Sequence, residues 1–244
     1  MEIAKKMVTD VLPKYFNEKA SNFEKKMGLF IMDDMVEFLG QELLGQIWPD
    51  ISKTLIAHVD NNSCEIRQAA SYGLGEFIKH TNVDYNQYAS EVLEILYKGL
   101  EINSDGENEE EYHSAQDNVI TALGKLIKYR GKEYSNLKEI IEKWLSNLPI
   151  KADISESPGQ HDLLCDIVIN SPDMIFGANN ANVPKIIRIL CDIYDSKYSN
   201  KEVNEKIKKI FEGIKQNSAL MALIPSAKEN ASKKVASRID KYFS

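Results

Sequence analysis

The 244-residue sequence predicts an all-α solenoid of stacked helix pairs, and three observations carry that prediction. An apolar quartet recurs: Ile51, Leu55, Ile56 and Val59, then Val92, Leu96, Tyr97 and Leu100, then Ile140, Trp144, Leu145 and Leu148, then Ile186, Leu190, Cys191 and Tyr194. The shifts are 41, 48 and 46 residues, and each quartet has the i, i+4, i+5, i+8 spacing of one helical face. A second set is interleaved with the first. Met27, Phe30, Ile31, Met35, Phe38 and Leu39 shift by 39 onto Ile66, Ala69, Ala70, Leu74, Phe77 and Ile78. A further shift of 49 gives Ala115, Val119, Leu123, Leu126 and Ile127, with Asn118 as the exception, and a shift of 41 continues to Leu164, Ile167 and Val168. Thirdly, the connections are short and polar. Removing eight residues, Ser104 to Glu111, from the shift of 49 restores 41. A period in the low forties built from two helices is the mark of HEAT repeats, armadillo-like units that bury their apolar faces only by stacking. About five helix pairs are expected, as one solenoid over residues 1–244.

The elements follow in order. A first helix is expected over Ile3 to Phe16, with Ile3, Met7, Val8, Val11, Leu12 and Tyr15 apolar. No polar capping helix precedes it, so it reads as a cut surface inside a longer array, its side at Met7, Val11 and Tyr15 uncovered. The next helix spans about Asn22 to Leu39. Asp60 to Ser63 form a polar turn before a helix that opens near Glu65. The stretch 104–111 reads as an acidic loop insertion, either solvated or in contact with a basic partner. Loops are expected at Ala152 to Gly159 and Ser171 to Asn182, with Asn180 or Asn182 capping a helix that carries Pro184 in its first turn. Helices over Asn200 to Asn217 and Ala227 to Tyr242 complete the chain, broken near Pro225. The charged 225–244 segment suits a terminal cap.

Composition narrows function. Apolar residues make up 43% and charged residues 27%, the balance of a folded, soluble, helix-rich chain. The net charge of −7 favours basic partners over nucleic-acid phosphates and anionic membranes. Cys64, Cys165 and Cys191 have no metal-ligand spacing and suit a reducing compartment. Nothing approaches a membrane-spanning apolar run or a secretory signal.

Catalysis finds little support. His58, His80, His113 and His161 are scattered without metal-ligand spacing, so no metal site and no cofactor is expected. Asp33 and Asp34 are adjacent, and neighbouring helical residues point about 100° apart, which rules out an acid–base dyad. They remain candidates for contact with a basic peptide. Gly73 and Gly75 lie within a helix and signal close helix packing rather than a phosphate loop. Arg67 reads as a brace between turns. Trp144 occupies a core position, and Trp48 reads as core or as a partly exposed anchor for a partner. The candidate partner contacts are Asp33, Asp34, Trp48, Glu109, Glu110 and Glu111. No catalytic residue is assigned.

The run from Asp60 to Gly75, DNNSCEIRQAASYGLG, resembles the C-terminal HEAT repeats of the karyopherin-beta nuclear import receptors, nearest to the importin beta-3 (importin 5) subfamily. ITALGKLIKY at Ile120 to Tyr129, WLSNLP at Trp144 to Pro149 and NNANVPKI at Asn179 to Ile186 support the likeness, which is clearest from Phe23 to Leu190. The insert at 104–111 and the stretch from Ser196 onward depart from the pattern. The resemblance implies a non-enzymatic receptor that shuttles between cytoplasm and nucleus. It would wrap basic cargo, bind Phe-Gly nucleoporins and release cargo to Ran-GTP. It also implies that this chain is the C-terminal end of such a receptor, with the main Ran-binding repeats outside it. The alternative is a HEAT-repeat scaffold subunit of another multiprotein assembly.

Overall fold

The computed structural model describes residues 2–39, 45, 47–81, 85–103 and 108–244. Among them every regular element is helical. The chain divides into two compact units, Met1–Leu137 and Lys138–Ser244.

In the first unit, α1 (Glu2–Lys6) runs into a π-helical turn (Met7–Val11) and a 3-10 segment (Leu12–Phe16). Pro13, which has no N–H for the helical ladder, stands at the start of that tighter segment. Then come α2 (Asn22–Phe38), α3 (Trp48–Ile56), α4 (Cys64–His80), α5 (Asn86–Glu101) and α6 (Glu109–Arg130). Helix α7 (Leu137–Ser146) begins at the boundary. The second unit continues with α8 (Ser157–Asn170), the short α9 (Pro172–Ile175), α10 (Val183–Ile193), α11 (Lys201–Gln216), α12 (Ser218–Met221), α13 (Ile224–Glu229) and α14 (Lys233–Phe243). Among the described residues the helices that carry the two apolar sets alternate along the chain, α2, α4, α6 and α8 for one set and α3, α5, α7 and α10 for the other.

Packing follows the two interleaved sets. In the first unit α4 lies between α2 and α6, forming one row, while α3 packs against α5. In the second unit α8 packs on α11, and α13 and α14 pack on α10. All four quartets turn inward. Ile51, Leu55, Val59, Val92, Leu96, Ile140, Trp144 and Leu190 are fully buried, and only Tyr97, Leu100 and Tyr194 keep part of their surface. Trp144 donates its indole N–H to Gln160 Oε1 at 3.1 Å, which ties α7 to α8.

Long-range polar pairs repeat the same period. Lys26 meets Glu65 at a separation of 39 residues, Glu76 meets Lys125 at 49, and Tyr85 meets Tyr134 at 49. In the second unit Lys151 meets Asp192 at 41, and Asp162 meets Lys206 at 44. Within each unit, equivalent positions of successive repeats are therefore neighbours in space, as stacking requires.

Several expectations change in detail. Helix α2 buries Leu29, Met32, Met35 and Val36, whereas Met27, Phe30 and Phe38 of the expected apolar set are exposed. The cause is the placement of its neighbours: α4 covers one flank at Asp33, and Tyr15 with Phe16 covers another at Gly28. In the first helix Met7, Val11 and Tyr15 are half-buried, not uncovered. The acidic stretch 104–111 is divided. Glu109–Glu111 form the first turn of α6 behind the N-cap Asn108, and Ser104–Glu107 lie outside the described residues. The final helix is interrupted at Asn230–Ser232, and Pro225 sits inside the first turn of α13. Asn182 precedes α10, with Pro184 in its first turn, and its side-chain amide donates to Ile175 O at 3.0 Å.

Candidate binding surface

The turn before α4 shows why its residues are placed as they are. Arg67, buried near the start of the helix, donates from Nη1 to Asn61 O at 2.8 Å and to Asn62 O at 3.0 Å. The guanidinium thus closes the Asp60–Ser63 turn and fixes where α4 begins, with bonds inside its own turn where the sequence suggested a brace between turns. At the other end of this layer Trp48 opens α3, fully buried, its ring edge-on to Phe77 at 5.1 Å. A buried indole has no surface to offer a partner. Trp48 is an anchor of the core, and the exposed alternative is set aside.

Helix α4 approaches its neighbours closely. A Cβ on Gly73 would lie 1.9 Å from Asp33 Oδ1, and one on Gly75 would lie 3.1 Å from the Lys125 side chain and 3.4 Å from the Ala122 backbone. These two glycines let α2 and α6 come in on either side, the packing role the sequence assigns them. They also create a polar cluster. Asp33 is only 4% exposed, and neither carboxylate oxygen has a hydrogen-bond partner. Burial raises its pKa to about 8, helped by the charges of Asp34, Glu76 and Glu37 and opposed by Lys125. At neutral pH this side chain is largely protonated.

Glu76 behaves in the opposite way, although it is equally buried. Burial alone would raise its pKa, but Lys125 Nζ at 2.7 Å and Lys79 Nζ at 3.0 Å outweigh that and hold it below the usual carboxylate value. Lys125 also lies 5.1 Å from the centre of the Tyr72 ring. The cluster is thus a charged pair beside a neutral acid.

Around it the row presents a mixed acidic and aromatic surface. Asp34 and Glu37 are exposed on α2, Glu65 on α4, and Phe30 and Tyr129 on α2 and α6. Tyr72 Oη stands 3.5 Å from Glu37 Oε2, and Lys26 pairs with Glu65 at 2.6 Å. Of the residues singled out in the sequence, the structure places Asp34 on this surface, whereas Asp33, expected as a partner contact, is buried beneath it against Gly73. Glu109, Glu110 and Glu111 are exposed, but they sit at the far end of α6, about 20 Å along the helix from Lys125. There their charge complements the helix N-terminus. Glu37, Glu76, Tyr72 and Lys125 were missed, yet a signal existed. Glu37, Glu76 and Lys125 are related by the same shifts of 39 and 49 that reveal the helices.

His161 and the three cysteines are committed to packing. His161 is buried, its Nδ1 lies 2.8 Å from Tyr198 O, and burial lowers its pKa to about 4, which keeps it neutral. Burial pushes the thiols of Cys165 and Cys191 up to about 12, which leaves them poor nucleophiles. Among the described residues no helix is long and apolar enough to cross a membrane.

No family model matches the chain. A 152-residue segment, 60% of this chain, is 28% identical to a protein described as a probable importin-5 homolog from Dictyostelium discoideum. That segment spans 14% of the relative's own length. A designed armadillo repeat protein superposes with a TM-score of 0.51 at 14% identity, over 95% of this chain and 97% of its own, a likeness of fold. The chain is a HEAT/armadillo-like helical-repeat protein, and its matched segment is similar in sequence to a protein described as a probable importin-5 homolog.

Proposed function

We propose that the chain belongs to a nuclear transport receptor of the karyopherin-beta type, and that the exposed side of the α2–α4–α6 row takes a basic segment of the cargo. The similarity to a probable importin-5 homolog carries this reading. The surface supports it chemically: Asp34, Glu37 and Glu65 offer carboxylates to Lys and Arg, and Tyr72 and Tyr129 offer ring faces beside them. Contacts of this kind speed encounter and weaken with salt. The same reading gives the full receptor Phe-Gly nucleoporins as partners and Ran-GTP as the release signal, mainly through repeats outside this chain. It also gives shuttling between cytoplasm and nucleus.

The test is titration of a fluorescent Lys/Arg-rich peptide, followed by anisotropy at low and physiological salt. Binding is expected to weaken about tenfold in Glu37→Lys combined with Glu65→Lys, since each lost charge contact is worth roughly 0.5–1 kcal/mol and each new like charge adds repulsion. A chain that retains neither this peptide nor immobilised Phe-Gly repeats at low salt contradicts the proposal.

A further inference from the structure

The second unit holds a cavity whose charge is not balanced from within. About 320 Å³ in volume, it opens between the turn after α7, one face of α10 and the start of α14. Lys185, Arg188, Ile189 and Asp192 line it with the i, i+3, i+4, i+7 spacing of a single helical face.

The lining has two characters. Leu148, Ile189 and Val235 are buried and give the cavity an apolar side. Against them stand two half-buried cations. Lys185 Nζ donates to Ser146 O at 2.6 Å, which uses one of its three N–H groups. Arg188 Nη1 reaches Ser226 O at 3.5 Å, one of five. Among the described residues neither cation is paired with a carboxylate, and Asp192, the acid of the lining, is taken by Lys151. Burial and the charge of Arg188 together lower the pKa of Lys185, as expected of a cation without a compensating anion. Lys206, also half-buried, shows the opposite case. Despite burial its pKa is raised, because Asp162 and Asp166 stand 2.6 and 2.7 Å away.

We propose that this cavity takes an acidic side chain of a partner peptide, its carboxylate held between Lys185 and Arg188 and an adjoining apolar side chain laid on Leu148, Ile189 and Val235. A carboxylate supplies the missing anion and matches the planar fork of the guanidinium. The apolar side selects a peptide, since a bare inorganic anion would leave those side chains facing water. The chain's net charge of −7 disfavours a nucleic-acid strand. Ser232 adds a donor at the same cavity: its Oγ accepts from Val235 N–H at 3.3 Å and keeps its own O–H to give. The site is opposite in sign to the acidic surface of the α2–α4–α6 row and shares no residue with it, so it stands or falls apart from the proposed function.

The experiment is titration of the 244-residue chain with a fluorescein-labelled peptide that carries a leucine between two glutamates, read by anisotropy at low salt. A Kd of about 10–100 µM is expected. Glutamine in place of both glutamates should weaken binding about tenfold, and serine in place of the leucine about threefold. Lys185→Gln and Arg188→Gln each keep a donor for the backbone carbonyl they meet while removing the charge. Each should weaken the acidic peptide about threefold and the pair about tenfold, with an unchanged circular dichroism spectrum. The peptide series needs only the parent chain, so it decides the matter even where a variant unfolds. No binding at about 500 µM peptide overturns the proposal. So does a glutamine peptide that binds as tightly, an affinity indifferent to both substitutions, or a leucine whose loss changes nothing, the mark of a site for bare anions.

Discussion

Helices α2 and α4 stand at equivalent places in successive repeats, yet they answer differently to the same apolar pattern. Residues related by 39 positions, Phe38 and Phe77, show the contrast most plainly. Phe77 is fully buried between Trp48 and Tyr88, with ring centres at 5.1 and 5.5 Å, whereas Phe38 is 73% exposed. Phe77 meets Trp48 of α3 and Tyr88 of α5, whereas among the described residues α2 is covered by α4 on one flank and by Tyr15 and Phe16 on another, which leaves Phe38 open. The difference teaches that in a stacked repeat the apolar pattern is written for a position in the array. Whether a given side chain is buried then depends on how many neighbours that helix has.

The contrast breaks if the two phenylalanines respond alike to truncation. Phe77→Ala should lose about 3–5 kcal/mol in urea unfolding, because it leaves a cavity among aromatic rings. The next effect concerns Asp33. Its folded pKa of about 8 lies above the ordinary aspartate value of 3.8, so the native state holds the proton more tightly than the unfolded chain. Stability from this group is therefore greatest below pH 4 and falls as pH rises toward 8, by on the order of a few kcal/mol. Asp33→Asn should flatten that slope; an unchanged slope in the variant would place the neutral acid elsewhere. The smallest effect is expected at Phe38, where Phe38→Ser should stay within about 0.5 kcal/mol of the parent because the ring is largely exposed.

Much of the fold was legible in the sequence because helix stacking writes a period into apolar residues. The quartets at Leu55, Leu96, Trp144 and Leu190 all point inward. The bracing role of Arg67 could likewise be read from its place after the Asp60–Ser63 turn, although its bonds to Asn61 and Asn62 stay within that turn. What escaped were choices made by neighbours. In helix α2 apolar residues occupy two sides, and the repeat pattern picked the Met27–Phe30–Phe38 side where the structure buries Leu29, Met32 and Val36. Trp48 opens its helix next to residues outside the described set, and nothing local announced that Phe77 would meet its ring. The site was less legible than the fold. Asp33 and Asp34 were found as an adjacent acidic pair, but their different fates follow from the close approach of Gly73, a tertiary fact. Glu76 and Lys125 were hidden only because the repeat was traced through apolar positions and not through charged ones.

Stacking at fixed shifts requires that equivalent positions of neighbouring helices touch, and Glu76 with Lys125 is the pair that tests this most directly. A double-mutant cycle of Glu76→Gln and Lys125→Met in urea unfolding should show each single change losing about 2–4 kcal/mol, because buried Lys125 loses its carboxylate or Glu76 loses its nearest cation and keeps Lys79 at 3.0 Å. The double variant should lose much less than the sum, with a coupling of at least about 1.5 kcal/mol. Additive losses, within about 0.5 kcal/mol, would mean that α4 and α6 do not meet at a shift of 49 and would contradict the stacked row.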